Sequence, residues 1–288
     1  MEQEQKLQQE EQPYTLVLAP NPSVMTGPGT NTIVLGDETT GALVIDPAVE
    51  EADYLAQVIA AGEARGGIRR ILITHGHPDH YGGAAALRAR LGVPVLAFSR
   101  AGVALADEEL EDGARLAVGR DTLRAIHTPG HRFDHLCFLL EGTGILFAGD
   151  LLAGVGTVVI APPEGDMGAY LTSLRRLQQL ALRSIVPAHG PVILDPGSKL
   201  AEYIDHRLLR EQQVITALGQ FPQGATVGEL VPQVYADVSP TLHALAAQSL
   251  TAHLLKLEQE GRVRRHGGSE DERWRLERLE GRVEPGRS

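Results

Sequence analysis

Strand-like and helix-like hydrophobic patterns alternate along the chain as far as residue 196. Short β-branched runs predict strands, and apolar residues spaced three and four positions apart predict the helices between them. The predicted strands are 32–35, 42–45, 70–74, 94–98, a pair within 116–126, 136–140, 144–148 and 184–187. The predicted helices are 51–64, 84–91 and 167–182. This alternation is typical of an α/β fold.

The pattern changes near Pro196. A long helix is predicted over 199–218, a short helix from 226, and another helix from 239 to 261. A hairpin of 261–265 with 273–276 is predicted after them. Helix, helix and hairpin in this order predict a small winged-helix-like domain. We therefore divide the chain into a disordered tail (1–13), a main α/β domain (14–196) and a helical linker with a winged-helix-like domain (197–288).

Composition indicates an ordinary globular protein. Of 288 residues, 43% are hydrophobic and 22% are charged. No apolar run approaches the roughly 18 to 20 residues that a membrane span needs. The Glu/Gln-rich start lacks the features of a secretory or transit peptide, so we expect a cytoplasmic protein with no membrane contact. A net charge of −11 argues against a surface that binds polyanions throughout, without excluding a local basic groove.

The strongest chemical signal is a run of candidate metal ligands directly after the predicted strand 70–74. Within six residues it contains His75, His77, Asp79 and His80. A loop at the end of a strand can direct several side chains at one point, and imidazole and carboxylate suit zinc, iron or manganese. A polar loop with incidental histidines is the alternative, but chance rarely packs three histidines and an aspartate in this way.

Three more candidates follow along the chain: His131, Asp150 and His189. Each stands where an apolar run meets a Gly/Pro turn, so each could reach a shared edge of a sheet sandwich. Five histidines and two aspartates suit a two-metal site with one bridging carboxylate. The single cysteine, Cys137, lies inside an apolar run and is read as a core residue, which leaves nitrogen and oxygen as the ligand atoms.

The order His-x-His-x-Asp-His, Gly-His, Gly-Asp and a Gly-flanked His resembles the metallo-β-lactamase superfamily, on its glyoxalase-II and ribonuclease-Z side. More narrowly, residues 21–32, 149–157 and 203–213 are similar to the lactamase-β-like subgroup, whose animal members are mitochondrial ribonucleases. The resemblance implies an αββα sandwich followed by a winged-helix-like domain. It does not imply hydrolysis of lactams.

The resemblance also implies a role for each candidate ligand. One metal would be held by His75, His77 and His131, the other by Asp79, His80 and His189, and Asp150 would bridge them. Asp46 matches an acid that braces the ligand loop without binding metal. We expect two divalent ions per chain, with zinc as the first choice and iron or manganese as alternatives.

These expectations lead to a hydrolase that uses a metal-bound hydroxide, with Asp79 accepting a hydrogen bond from the attacking water. The substrate is a small ester or thioester, which the acidic charge favours, or single-stranded RNA, which the resemblance favours. A mononuclear-iron persulfide dioxygenase is the alternative, because it shares the His-x-His-x-Asp-His loop, although His189 fits a second metal better. A non-enzymatic regulator conflicts with the complete ligand set.

Several residues around the ligands have two interpretations. Thr74 and His135 could orient the candidate metal ligands by hydrogen bonding to them, but a buried structural role fits His135 equally well. His206 and Arg207 could face the substrate, or they could lie on a solvated helix face. We expect no sequence-specific DNA binding, because Lys256 is the only basic residue on the would-be recognition helix. The sequence leaves a homodimer open.

Overall fold

The computed structural model describes residues 13–268 and 272–277. The predicted disordered tail therefore lies outside the described residues, apart from Pro13. Among the described residues, no helix has both the length and the apolar character that crossing a membrane requires.

The first sheet has six strands in sequential order. Its first three strands are antiparallel neighbours, and the remaining pairs are parallel. The strands are β1 (Tyr14–Leu18), β2 (Asn31–Asp37), β3 (Gly41–Ile45), β4 (Ile68–Leu72), β5 (Val95–Ala97) and β6 (Glu108–Glu109). The helices along this part of the chain are α1 (Ala52–Glu63), α2 (Pro78–Tyr81) and α3 (Ala84–Leu91).

The second sheet has five strands, ordered β11-β10-β9-β8-β7. They are β7 (Arg115–Val118), β8 (Asp121–His127), β9 (Leu136–Leu140), β10 (Ile145–Phe147) and β11 (Ser184–Val186). Helix α4 (Met167–Gln178) connects β10 to β11, which run parallel. A parallel pair needs a crossover of this kind, because a tight turn cannot reverse the chain twice.

Both faces of each sheet are buried. Ile33 and Leu35 of β2 face a core shared with Phe138 of the second sheet, whereas Val34 between them packs with the helices α1 and α3. The outer face of the second sheet packs against α4 and the next helix of the chain. Because successive strand residues point to opposite faces, burial on both faces gives near-continuous apolar runs. The predicted αββα sandwich is confirmed.

The C-terminal region has a core of its own around Trp274, which is fully buried. Its elements are α5 (Pro196–Leu218), α6 (Val227–Val234), a 3-10 turn (Pro240–Leu242), α7 (His243–Gln259), β12 (Val263–His266) and β13 (Arg273–Leu276). Helix α6 begins with a capping box in which Thr226 and Glu229 satisfy each other's backbone N–H groups. The predicted winged-helix architecture is confirmed.

Four details differ from the predicted elements. Strands β1 and β6 were not predicted: β1 is partly exposed, and β6 has only two residues, both exposed. Helix α4 ends at Gln178, short of residue 182, because the chain turns so that Arg183 N donates to Gly144 O. Helix α5 starts three residues early at Pro196, capped by Asp195, since proline is tolerated in a first helical turn.

Candidate metal centre and substrate cavity

The segment after β4, together with α2, supplies four candidate ligands. His75 follows the end of β4 and is fully buried, and His77 is the residue that precedes the first turn of α2. Asp79 and His80 lie within α2 itself, with His80 fully buried and the Asp79 side chain 31% exposed. Two of the four candidates thus lie in the connection between β4 and α2, and two lie in α2.

One group of candidate ligand atoms comprises His75, His77, His131 and Asp150, all within 4.8 Å of one another. The distance from His75 Nε2 to His77 Nδ1 is 2.8 Å, and from His131 Nε2 to His77 Nδ1 it is 3.1 Å. Asp150 Oδ2 lies 3.7 Å from His131 Nε2. The structure therefore brings His131 and Asp150 to the two histidines of the loop after β4, giving three imidazoles and one carboxylate in one group.

A second group comprises Asp79, His80 and His189. Asp79 Oδ2 lies 3.8 Å from His80 Nε2 and 3.5 Å from His189 Nε2. Asp150 also reaches this group, since its Oδ2 is 3.5 Å from His80 Nε2 and its Oδ1 is 3.2 Å from His189 Nε2. Asp150 is thus the one carboxylate of the seven residues that adjoins both groups.

The imidazoles of the first group are held neutral. Burial lowers the pKa of His75 well below its usual value, and the nearby His80 and His131 lower it further. Burial and the neighbouring His131 lower the pKa of His77 to about 4. Burial also lowers the pKa of His131, against the opposing effect of Asp150. Neutral imidazole is the form that donates a lone pair to a metal.

In the second group, the pKa values of the histidines are raised rather than lowered. Burial alone would lower the pKa of His80, but the carboxylates of Asp150 and Asp46 outweigh it and raise that pKa well above the usual value. Burial is likewise outweighed at His189, where hydrogen bonds to Asp150 and Asp79 raise the pKa to about 9. These carboxylates create a site that attracts positive charge.

Asp46 contacts the ligand loop through its carboxylate. Its Oδ1 accepts from Thr74 N at 2.8 Å, and its Oδ2 lies 2.7 Å from both Thr74 Oγ1 and His80 Nδ1. Asp46 itself has a φ of 53°, a left-handed conformation that aspartate tolerates better than most residues. The carboxylate thus joins the end of β3 to the loop after β4 and orients His80.

His135 supports Asp150 from the second sheet. Asp150 N donates to His135 Nε2 at 3.0 Å, and Thr128 Oγ1 lies 2.9 Å from His135 Nδ1. Burial lowers the pKa of His135 well below its usual value, so the ring stays neutral and can accept this bond. The sequence left open whether His135 supports a ligand or only fills the core, and the structure places it against the backbone of Asp150.

Two supporting contacts were missed in the sequence. Thr30 Oγ1 donates to Asp79 O at 3.0 Å, and Asn31 Nδ2 donates to the carbonyls of Pro187 and Gly190 on either side of His189, at 3.0 and 2.9 Å. The start of β2 thereby positions parts of the second group. Two polar residues at the start of a strand were the signal in the sequence that could have indicated these contacts.

A further missed support holds the turn between His75 and His77. Gly76 N donates to Oδ2 of the buried Asp134 at 3.0 Å, and Asp134 Oδ1 lies 2.7 Å from Arg132 Nε. An ion pair with Glu164 holds Arg132 on its other side. The charged residues Arg132 and Asp134, directly after His131, were the signal for this support.

Beside the candidate ligands lies a cavity of about 660 Å³. His131, Asp150 and His189 form part of its wall, and the C-terminal region closes it with Tyr235, Val238, Leu242, Leu245, Ala246 and Ser249. His206 and Arg207 of α5 also line it. Arg207 is only 2% exposed, so the interpretation of this position as part of a solvated face is wrong.

The donor set fits a divalent metal ion. His80 Nε2 and Asp150 Oδ1 are buried and make no well-aligned hydrogen bond among the described residues, although Asp150 Oδ1 lies 3.2 Å from His189 Nε2. Buried polar atoms normally have a hydrogen-bond partner. A buried imidazole nitrogen and a buried carboxylate oxygen without a well-aligned one, in adjoining ligand groups, indicate a place for a cation. Cys137 is buried, and burial raises the pKa of its thiol to about 12, which leaves a nitrogen and oxygen site of the kind that zinc, iron or manganese occupies.

The two-sheet fold and the His/Asp cluster at its edge define a metal-dependent hydrolase. The metallo-beta-lactamase superfamily profile matches residues 25–189, and the chain belongs to that superfamily. A beta-lactamase-associated winged helix domain profile matches residues 226–274. The domain boundaries at 13, 196 and 197 stay predictions.

Relatives match over most of the chain. An atrochrysone carboxyl ACP thioesterase of Aspergillus chevalieri is 36% identical over 256 residues, covering 86% of this chain and 81% of the relative. The beta-lactamase-like protein 2 homolog of Drosophila melanogaster is 31% identical over 271 residues, covering 89% and 91%. Among solved structures, a metallo-beta-lactamase family protein from Thermus thermophilus superposes with a TM-score of 0.75 at 24% identity, covering 92% of this chain and 99% of that chain.

Proposed function

We propose that this protein is a binuclear metal-dependent thioesterase that acts on acyl compounds with an apolar body. The observation that carries the proposal is the placement of Asp150 between two ligand groups, on the wall of a largely apolar cavity. His75, His77 and His131 would hold one ion, and Asp79, His80 and His189 the other. Zinc is the first choice, with iron or manganese as alternatives.

Divalent ions held there would supply Lewis acidity and would lower the pKa of a bound water toward neutrality. The chain's own residues orient the reactants. Asp79 is the most exposed carboxylate of the cluster, and hydrogen bonding to His189 keeps its pKa below the usual value in spite of burial. It is therefore ionised at neutral pH and can accept a hydrogen bond from the attacking water.

Thioester hydrolysis needs no nucleophilic side chain. The water oxygen bonds to the acyl carbon, the carbon–sulfur bond breaks, and the products are a carboxylate and a thiol. The departing thiolate takes up a proton. Asp79 lines a neighbouring pocket that shares His131, Asp150 and His189 with the cavity, and it is placed to pass on the proton that the water loses. Buried Cys137 has no part in this reaction.

Two observations favour a thioester over single-stranded RNA. The cavity wall is largely apolar and includes Val238, Leu242 and Leu245, which suit an acyl chain better than a phosphodiester backbone. A relative that is 36% identical is a thioesterase for an acyl group carried on ACP. We propose a small-molecule or carrier-bound acyl compound as the partner.

A hydrolysis panel tests the proposal. Zinc-loaded protein would be assayed with octanoyl-N-acetylcysteamine, an aryl phosphodiester, a β-lactam and single-stranded RNA. We expect the thioester to be hydrolysed fastest and the Asp150→Ala variant to lose that activity, while Asp37→Ala, which removes a carboxylate from an exposed turn, keeps it. Faster cleavage of RNA would overturn the substrate class. Oxygen uptake with glutathione persulfide and no hydrolysis would overturn the reaction.

A further inference from the structure

Helix α5 brings two buried arginines to the cavity, and their environments differ. Arg210 forms two hydrogen bonds with Asp237, from Nη1 to Oδ1 at 2.9 Å and from Nη2 to Oδ2 at 2.7 Å. It also donates to Val234 O at 2.7 Å. The charge of Arg210 is therefore neutralised by a carboxylate within the protein.

Arg207, one helical turn earlier, has no such partner. Its Nη2 donates to two neutral acceptors, Thr157 Oγ1 and Val158 O, each at 2.6 Å. The Nε atoms of both arginines are buried without a hydrogen-bond partner, but among the described residues no carboxylate forms an ion pair with Arg207. Buried guanidinium groups are normally paired, so a 2%-exposed arginine without an anion is an unusual feature of this cavity.

The groups around Arg207 leave its charge uncompensated. The ring of Tyr170 lies 5.3 Å from the guanidinium carbon and offers a π face but no negative charge. Burial and the charges of Arg207 and Arg210 lower the pKa of His206, while Asp237 and Glu202 oppose this effect only in part. Burial, together with Arg207 and Lys256, lowers the pKa of His253 to about 3. Both histidines are thus neutral at pH 7, and the field here is positive.

Arg207 also lines the same cavity as three candidate metal ligands, His131, Asp150 and His189. The wall includes the apolar side chains of Val158 and Ala246. One cavity therefore presents a reactive end with metal ligands, an apolar lining and an unpaired guanidinium. A ligand that satisfies all three has an electrophilic carbonyl, an apolar body and an acidic group.

We propose that Arg207 is a specificity-determining residue that binds a carboxylate on the acyl group, at a distance from the thioester. The inference rests on the proposed thioesterase function, which it deepens by naming the substrate class: thioesters of acyl groups that carry a second, free acid. Guanidinium is suited to this task, because its planar N–H groups match the two oxygens of a carboxylate.

Two thioesters test the proposal. Octanoyl-N-acetylcysteamine and the mono-N-acetylcysteamine thioester of suberic acid have acyl chains of equal length and differ in a terminal methyl or carboxylate. We expect the wild-type enzyme to prefer the suberic acid thioester in kcat/KM, chiefly through KM. Arg207→Gln should lower kcat/KM for that substrate by about 10- to 100-fold, as expected for a lost charge-assisted hydrogen bond, and should change the octanoyl value by less than about threefold.

Two further variants separate recognition from structure. Arg207→Lys keeps the charge and should retain most of the preference, which also serves if Arg207→Gln fails to fold. Arg210→Gln removes a buried arginine whose charge Asp237 already neutralises, and it should leave the ratio between the substrates unchanged. Equal losses for both substrates in Arg207→Gln, or no preference in the wild-type enzyme, would overturn the proposal.

Calorimetric measurement of the binding of the same two thioesters to the same proteins tests the thioesterase function and the anion site at Arg207 separately. If neither thioester is hydrolysed but the suberic acid thioester binds more tightly, and Arg207→Gln abolishes the difference, the thioesterase function fails and the anion site stands. If both are hydrolysed but bind equally well, the anion site fails and the thioesterase function stands.

Discussion

The Nδ1 atom of His80 lies 2.7 Å from Oδ2 of Asp46, and both side chains are almost fully buried. A carboxylate in this position holds the imidazole proton on Nδ1, which leaves Nε2 as the atom that faces Asp79 and Asp150. Asp46 itself does not belong to either group of candidate ligands. The relationship therefore assigns Asp46 a positioning role, one step removed from the metal.

Asp46→Asn tests this role. Asparagine also tolerates the left-handed backbone of this position, but its amide N–H can face His80 Nδ1 and favour the wrong tautomer. We expect a metal affinity lower by about 10- to 100-fold, with thioester hydrolysis recovering at high zinc concentration. Zinc titration followed by calorimetry measures this. Asp37→Asn is the matched control in an exposed turn, and an Asp46→Asn affinity equal to that of the control would remove the positioning role.

Gly149→Ala tests the support that His135 gives to Asp150. A Cβ at Gly149, where φ is +49°, would lie 2.6 Å from His135 Nε2 and 2.9 Å from Thr74 Cβ. The bond from Asp150 N to His135 would be displaced, so we expect a loss of about 1 to 3 kcal/mol in the free energy of unfolding beyond backbone strain, together with lower activity.

The matched control is Gly92→Ala, whose φ is +66° and whose Cβ would meet nothing within 4 Å. It carries the backbone strain of a left-handed position without the clash. Urea unfolding and thioester assays of both variants make the comparison. Equal losses in the two variants would mean that the space beside His135 has no part in holding Asp150.

Stability in acid should depend on His253. It is fully buried, both ring nitrogens lack hydrogen-bond partners among the described residues, and its pKa is lowered to about 3. The unfolded chain binds a proton near pH 6.5 and the folded chain does not, so stability is lost as pH falls from there toward about 3. His253→Leu removes this proton uptake.

Between about pH 6.5 and about pH 4.5, we expect the free energy of unfolding to fall by roughly 2 kcal/mol less in the variant than in the wild-type protein. Urea unfolding of the metal-free proteins across that range measures the difference, and the other histidines titrate alike in both. His266→Leu, an exposed position on the wing, is the control and should follow the wild-type curve. Parallel curves for His253→Leu and the wild-type protein would contradict the assignment.

Glu211 joins α5 to the C-terminal region. Its side chain is 8% exposed and accepts from Lys256 Nζ at 2.6 Å and from Arg262 Nη1 at 2.8 Å. Glu211→Gln should lower the free energy of unfolding by about 1 to 3 kcal/mol, because it weakens two partly buried charge-assisted contacts. Glu202→Gln breaks an exposed pair with Lys199 and should change little. Urea unfolding that ranks the two variants the other way would contradict this.

The candidate ligands were predictable from the sequence because four of them stand in one loop after a buried strand. The other three each mark a place where an apolar run ends in a turn. Their roles as metal ligands stay predictions, although the structure places all seven in two adjoining groups. Lys256 is engaged by Glu211 and Glu260, and the absence of sequence-specific DNA binding also stays a prediction.

What the sequence did not reveal depends on contacts between distant segments. Asn31 reaches the carbonyl of Pro187, 156 positions away, and no local pattern signals such a pair. The burial of Arg207 results from the packing of α5 against residues 157–158 and from the closure of the cavity by α7, whereas helical periodicity only placed it beside His206. Long-range packing of this kind overrides a prediction made from one helix alone.

The most direct test of the central claim is the return of zinc to metal-free protein, with bound metal counted by mass spectrometry while hydrolysis of octanoyl-N-acetylcysteamine is followed. Two ligand groups that share Asp150 predict that activity reaches its maximum as the second zinc per chain binds, and that Asp150→Ala binds less metal and stays inactive. Activity that is complete with one metal per chain, or one tightly held iron with no hydrolysis, would contradict the binuclear thioesterase.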